Sequence, residues 1–187
     1  MVRFEPDPGP TPDADLVVAL NRGDGEAFEE LYERYRDWVA RLAYRLTGNQ
    51  DDTLDILQGT FAHLLEKAPR LQLHTKLTVF LYPVVKDLAD SAGRRRGRDI
   101  SQDVILGQAI VPSYTCIDSS TAELASVLAG LPQAQREVLL MRFVDGLSLE
   151  EIGDALDIPS GTVQSRLRSA LAQLRDDPRT ESHFEPQ

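Results

Sequence analysis

Apolar residues recur at spacings of three and four along nearly the whole of this 187-residue chain. That spacing puts them on one face of successive helices and leaves no room for a sheet. After a Pro-rich start, Leu16, Val17 and Leu20 mark a short helix, with Asp13 placed to cap it and Gly23 to stop it. Asp24 is placed to cap a long helix carrying Phe28, Leu31, Tyr32, Tyr35, Trp38, Val39, Leu42 and Leu46 inward, ended by Gly48. Core packing accounts for Tyr32, Tyr35 and Trp38 better than base stacking does. A third helix, from about Asp52 to before Pro69, is expected to bury Leu54, Leu57, Phe61, Leu64 and Leu65. A fourth, from about Thr75, carries Leu77, Phe80, Leu81, Val84, Val85 and Leu88, with Pro83 expected to kink or break it.

The period lapses over residues 99–118, read as a flexible linker, and returns from Ala122. Pro132 suits the start of a helix that buries Val138, Leu139 and Phe143 and stops near Gly146. The fold class is therefore all-α: an arm (1–12), a helical domain (13–98), the linker, a second helical domain (119–176) and a tail (177–187). Hydrophobic residues make up 42% of the chain, enough for packed cores.

Segment 147–168 is the most specific stretch. Ser148 followed by Glu151 spells a capping box. The helix it opens is about two turns long and buries Ile152, Ala155 and Leu156. Asp157 to Gly161 makes a turn plugged by Ile158, and Ser160 is placed to cap a second helix. Val163, Leu167, Ala170, Leu171 and Leu174 form that helix's inward stripe, leaving Thr162, Gln164, Ser165, Arg166, Arg168 and Ser169 outside. Arg, Gln, Ser and Thr are the side chains that read major-groove edges and phosphates, so this is a helix-turn-helix pattern. The net charge of −10 argues against coating nucleic acid non-specifically, but base is clustered locally at Arg94, Arg95, Arg96 and Arg98 and at Arg166, Arg168 and Arg175. A protein so charged is expected to need a partner to bind DNA well.

Other chemistry finds little footing. His63, His74, His183 and Cys116 lack metal-ligand spacing, and no disulfide can form from one cysteine. Asp51, Asp52 and Asp55 suit a helix N-terminus better than catalysis. No phosphate loop or nucleophile motif occurs, so neither an enzyme nor a cofactor nor a metal is expected. Nothing resembles a signal peptide or a membrane span, which predicts a cytoplasmic protein without membrane insertion.

The order of residues in Leu131–Gly153 and Gly161–Leu167 resembles region 4 of the extracytoplasmic-function (ECF) sigma factors, small members of the sigma-70 family. Gly23–Tyr35 and Asp55–Phe61 resemble region 2 of the same family. The resemblance implies a sigma factor that binds core RNA polymerase and directs promoter-specific initiation. Asp55, Gln58 and Phe61 would grip the polymerase clamp coiled coil, and region 4 would dock on the flap. Phe80, Arg94, Arg95, Arg96 and Arg98 would lie on the −10 side. Thr162, Gln164, Ser165, Arg166 and Arg168 would enter the −35 element of promoter DNA. An anti-sigma factor would be the regulator. The chain departs from the family at Gln164 and Leu171, where a basic residue is usual, and at Phe80, Pro83 and Asp87, where Trp, a residue other than proline, and Asn are usual. Those departures imply altered −35 preference and weakened −10 recognition or melting. A stand-alone helix-turn-helix regulator and a sigma-like interaction protein are the competing readings.

Overall fold

A computed structural model describes residue 9, residues 11–96 and residues 126–178. The described residues contain only helices and turns and fall into two compact units. The linker, Arg98, most of the arm and nearly all of the tail lie outside them.

The first unit contains α1 (Asp13–Leu20), α2 (Gly25–Thr47), α3 (Gln50–Lys67), a 3-10 turn (Ala68–Arg70) and α4 (Leu77–Arg95). Asp24 caps α2 as its position predicts, accepting from the backbone N–H of Glu26 and Ala27. Gly48, left-handed at φ 62°, ends it. α2 packs against α1, α3 and α4. Leu31, Trp38, Val39 and Leu42 of α2 are buried, as are Leu64 of α3 and Leu77, Leu81, Tyr82 and Val85 of α4. Tyr35 is buried and Tyr32 half-buried, so the aromatic residues of α2 are core.

Asp13 does not cap α1. It is the first residue of that helix, Pro12 holds the cap position, and the carboxylate turns to α2 instead. There it accepts from the Tyr35 hydroxyl and from Arg34 Nη1 (2.6 Å). Arg34 also donates to the Thr11 carbonyl (2.9 Å) and to Glu30 (2.6 Å). With its side chain 4% exposed, Arg34 locks α1 to α2 by charge-assisted bonds in partial burial, where such bonds are strong. Burial, reinforced by the Asp13 bond, pushes the Tyr35 hydroxyl pKa far above the ordinary tyrosine value.

Pro83 does not break α4, which runs unbroken from Leu77 to Arg95. The proline removes one backbone hydrogen bond, and Leu81, Tyr82 and Val85 around it are buried. The packing of that face holds the helix together across the missing bond.

The second unit contains a helical turn at 126–129, then α5 (Gln133–Phe143), α6 (Leu149–Leu156) and α7 (Ser160–Asp176). Its core gathers Val127, Leu128, Leu131, Leu139, Leu140, Ala170 and Leu174, with Phe143 and Leu167 packed partly into it. Val138, Met141, Leu147, Ile152 and Val163 are fully buried. Arg136 on α5 is 8% exposed, and burial lowers its pKa.

Candidate nucleic-acid and polymerase interface

α6 is only eight residues long and cannot be stable by itself. Its start is fixed by the capping box: Ser148 Oγ accepts from Glu151 N–H (3.1 Å), and the Glu151 carboxylate accepts from Ser148 N–H (2.7 Å). Its end is fixed by Asp157, left-handed at φ 53°, and by Ile158 N–H donating to the Gly153 carbonyl (3.0 Å). Gly153 lets the two helices meet closely, since a Cβ there would lie 2.8 Å from the Ile158 carbonyl oxygen. The sequence signal for this contact was a lone glycine inside a helical pattern.

Ser160 does not cap α7. It is the first helical residue, Pro159 occupies the cap, and no side chain bonds the free N–H groups there. Val163, Ala170 and Leu174 point inward, and Leu167 is half-buried. Leu171, expected inward, is 40% exposed. It lies about 80° round the helix from Val163, at the edge of the stripe and not in it. Gln164, Ser165, Arg168 and Ser169 are exposed, and Thr162 and Arg166 are half-buried. The outer face of α7 therefore carries donors and acceptors suited to base edges and phosphates. The α6 residues Glu150 and Asp154 are also exposed, an acidic face unsuited to phosphate.

In the first unit α3 presents a different surface. Asp55 and Gln58 are exposed, as are Leu54 (53%) and Leu65 (45%), which the apolar pattern had placed in the core. The buried face of α3 is instead Asp52, Thr53, Ile56, Thr60, Phe61 and Leu64. Thr53 and Thr60 fit inside because their hydroxyls donate to the carbonyls of Asn49 (2.7 Å) and Ile56 (2.7 Å). Phe61, expected to touch the polymerase, is 3% exposed and lies under Phe28 and Tyr32, with ring centroids 6.2 and 4.8 Å away. It supports α3 from beneath; Asp55 and Gln58 are the members of that trio at the surface.

The basic run at the end of α4 also divides. Arg96 donates to Asp52 in the first turn of α3 (2.9 Å) and ties the two helices. Arg94 and Arg95 are exposed, Arg94 also donating to Ser91 Oγ (2.9 Å). Together with Asp55, Ile56, Leu88 and Ser91 they line an open cleft of about 500 Å³ between α3 and α4. Phe80 is half-buried, one ring face stacked on His63 of α3 at 6.1 Å. Asp87 is exposed on α4. The Asp52–Arg96 tie joins residues so far apart in sequence that it leaves no local pattern.

Among the described residues no three His, Cys, Asp or Glu side chains gather to hold a metal ion, and no helix is long and apolar enough to cross a membrane.

A two-turn helix, a tight turn and a longer helix with an outward polar face define a helix-turn-helix DNA-binding protein, here joined in one chain to a second helical unit. The family model for sigma-70 region 4 matches residues 127–176, and that for sigma-70 region 2 matches residues 31–99. The ECF RNA polymerase sigma factor SigE of Mycolicibacterium smegmatis is 33% identical over 179 residues, 92% of this chain and 69% of the relative. The ECF RNA polymerase sigma factor SigW of Bacillus subtilis is 28% identical over 178 residues, 86% of this chain and 95% of the relative. Among solved structures, CnrH in complex with the cytosolic domain of CnrY superposes with a TM-score of 0.64 at 20% identity, covering 87% of this chain and 94% of that one. The sigma factor RpoE from Bartonella quintana, in complex with the anti-sigma factor NepR, superposes at 0.61 and 20% identity, covering 81% and 96%. At that identity the two structures speak for the fold. The chain belongs to the ECF group of the sigma-70 family of RNA polymerase sigma factors.

Proposed function

We propose that this chain binds core RNA polymerase and carries it to promoters by contacts at the −10 and −35 elements. The observation that carries the reading is the outer face of α7, where Gln164, Ser165 and Arg168 are exposed while Val163, Ala170 and Leu174 fill the core. α3 is the polymerase-facing helix. Asp55 and Gln58 supply its polar contacts, and the exposed Leu54 and Leu65 supply apolar area that water covers poorly. The second unit docks on the flap and lays α7 in the −35 major groove. Arg94 and Arg95 run along −10 phosphates, and the half-buried Phe80 lies on the same side. The domain limits are those of the sequence: region 2 over 13–98, region 4 over 119–176, with a linker between.

The chain acts by binding and not by catalysis, in the cytoplasm where polymerase is. Strand separation draws on binding energy held against the separated strands, so no cofactor is required. An anti-sigma factor is the natural regulator, because a protein that covers α3 and α7 removes both partners' access. The exposed Asp87 on α4 sets an anion near the −10 side, which favours weak melting and dependence on a strong −35 contact.

Transcription with purified core polymerase, with start sites mapped, tests the reading. Initiation at discrete starts only when the chain is present is the expected result. Operator binding without polymerase, and no initiation with it, favours a stand-alone regulator instead. Polymerase binding without initiation favours an interaction protein.

A further inference from the structure

Arg136, in the first turn of α5, is a buried cation left without a counter-charge. It is 8% exposed, and among the described residues it has no hydrogen-bond or ion-pair partner. Burial, with no carboxylate to offset it, lowers its pKa. Groups around it are also unmet. The cap position of α5 is Pro132, which offers no side-chain bond, and no acid stands in the first turn. The Pro132 carbonyl accepts from the backbone N–H of Gln135 and of Arg136, which leaves those of Gln133 and Ala134 without an acceptor in the helix. Gln135 Oε1 is buried with no donor. Side chains lean toward the start of their helix, so the Arg136 guanidinium and the free N–H groups lie at the same end of α5.

A buried charge without a partner is costly, and an anion that reaches it recovers the cost. The position of Arg136 points away from DNA as the source of that anion. Arg136 shares a face of α5 with Leu139 and Leu140, which pack with Ala170 and Leu174. Those two residues lie about 9–15 Å along α7 beyond Gln164, toward the end of the helix far from the turn. An anion that meets Arg136 while α7 lies in the groove therefore comes from a protein. We infer that Arg136 and the start of α5 form a socket for a carboxylate side chain of core RNA polymerase. The guanidinium gives a carboxylate two parallel N–H bonds, and the free N–H groups and helix dipole favour the same charge. Gln135 Oε1 takes a backbone N–H of the segment that carries the acid. The socket leaves Gln164, Ser165 and Arg168 exposed, so polymerase and promoter can be held together. The inference rests on the sigma-factor reading and adds to it which group on the second unit polymerase must satisfy.

The test measures the affinity of the full chain for core polymerase, and the melting midpoint of the free chain, for Arg136→Met, Arg136→Lys and the unaltered protein. Methionine keeps an apolar stem and removes the charge, so the free variant should melt no lower than the unaltered chain. Its affinity for core polymerase should nonetheless fall about tenfold or more, as expected when one member of a buried charge pair is lost. Arg136→Lys keeps the charge but not the two-bond geometry, and its affinity should fall between the two. A loss of affinity matched by a lower melting midpoint makes Arg136 a structural residue and overturns the socket. So does unchanged affinity of the methionine variant for core polymerase. Weaker binding of the assembled holoenzyme to promoter DNA, with core binding intact, assigns the anion to a DNA phosphate and overturns the socket too. Should the methionine variant fail to fold, the lysine variant decides by the same readings. If the unaltered chain does not bind core polymerase, the sigma-factor reading itself fails.

Discussion

The two units solve the same problem, presenting polar side chains from a helix, with different means. The first rests on mass: Trp38, Tyr82, Leu31, Leu42, Leu64, Leu77 and Leu81 are all fully buried, and α2, α3 and α4 are each at least eighteen residues long. Its surface helices are fixed by ordinary packing and by long-range ion pairs at Arg34 and Arg96. The second places α7 through α6, eight residues held by a capping box at one end and a left-handed aspartate and a glycine contact at the other. Removal of core is therefore the way to damage the first unit, and removal of a single backbone device the way to damage the second.

The largest expected effect is in the first unit. Trp38 is 1% exposed between α2 and its neighbours, so Trp38→Ala opens a cavity that the packed helices cannot close. A loss of about 3–5 kcal/mol is expected in denaturant unfolding of that unit. A cost under about 1 kcal/mol would mean that the first unit is not held by bulk packing.

Next comes Gly153→Ala. Its Cβ would stand 2.8 Å from the carbonyl oxygen of Ile158, a backbone atom that cannot swing aside. Overpacking of this kind costs about 1–3 kcal/mol, and the turn must open to relieve it. Loss of −35-dependent transcription is expected to exceed the loss of stability, because α7 moves with the turn. Ser148→Ala should follow at about 1 kcal/mol, the ordinary value of a lost N-cap, read as a lower melting midpoint. If instead Ser148→Ala leaves melting unchanged, α6 is held by its core contacts and the contrast between the units weakens.

Much of this architecture was legible in the chain, and the failures have a common cause. The long stripe of α2, the Gly48 stop and the Ser148–Glu151 box are local patterns, and each stands where its spacing puts it. Gln164, Ser165, Arg168 and Ser169 face outward as their spacing predicts, while Thr162 and Arg166 are half-buried. Leu54, Leu65 and Leu171 misled because hydrophobicity reports a cost of exposure, not the presence of a cover. In a protein built to dock on others, some apolar residues face outward. Asp13 and Ser160 misled because capping competes with other bonds: Asp13 is taken by Arg34 and Tyr35, and Pro159 takes the cap position before α7. Phe61 and Arg96 each have a structural partner that no local pattern announces. One supports α3 from below and the other joins α3 to α4. Both depend on which helix lies opposite, which spacing along one helix does not contain.

The smallest expected effect is the sharpest comparison, because it repeats the Gly153 substitution in the other unit. Gly59 also sits inside a helix, α3, and also lies against a neighbour. A Cβ there would meet Leu88 Cδ1 at 3.1 Å, the far end of a flexible side chain. Alanine in a helix interior is worth about 0.5–1 kcal/mol over glycine. Leu88 is half-buried beside the open cleft and has space to turn. Gly59→Ala should therefore raise the melting midpoint slightly, and the chain should keep its affinity for polymerase. A loss above about 1 kcal/mol would show that α3 and α4 are as tightly constrained at Gly59 as α6 and its turn are at Gly153. The division between a unit held by mass and a unit held by devices would then fail at the contact where it is easiest to measure.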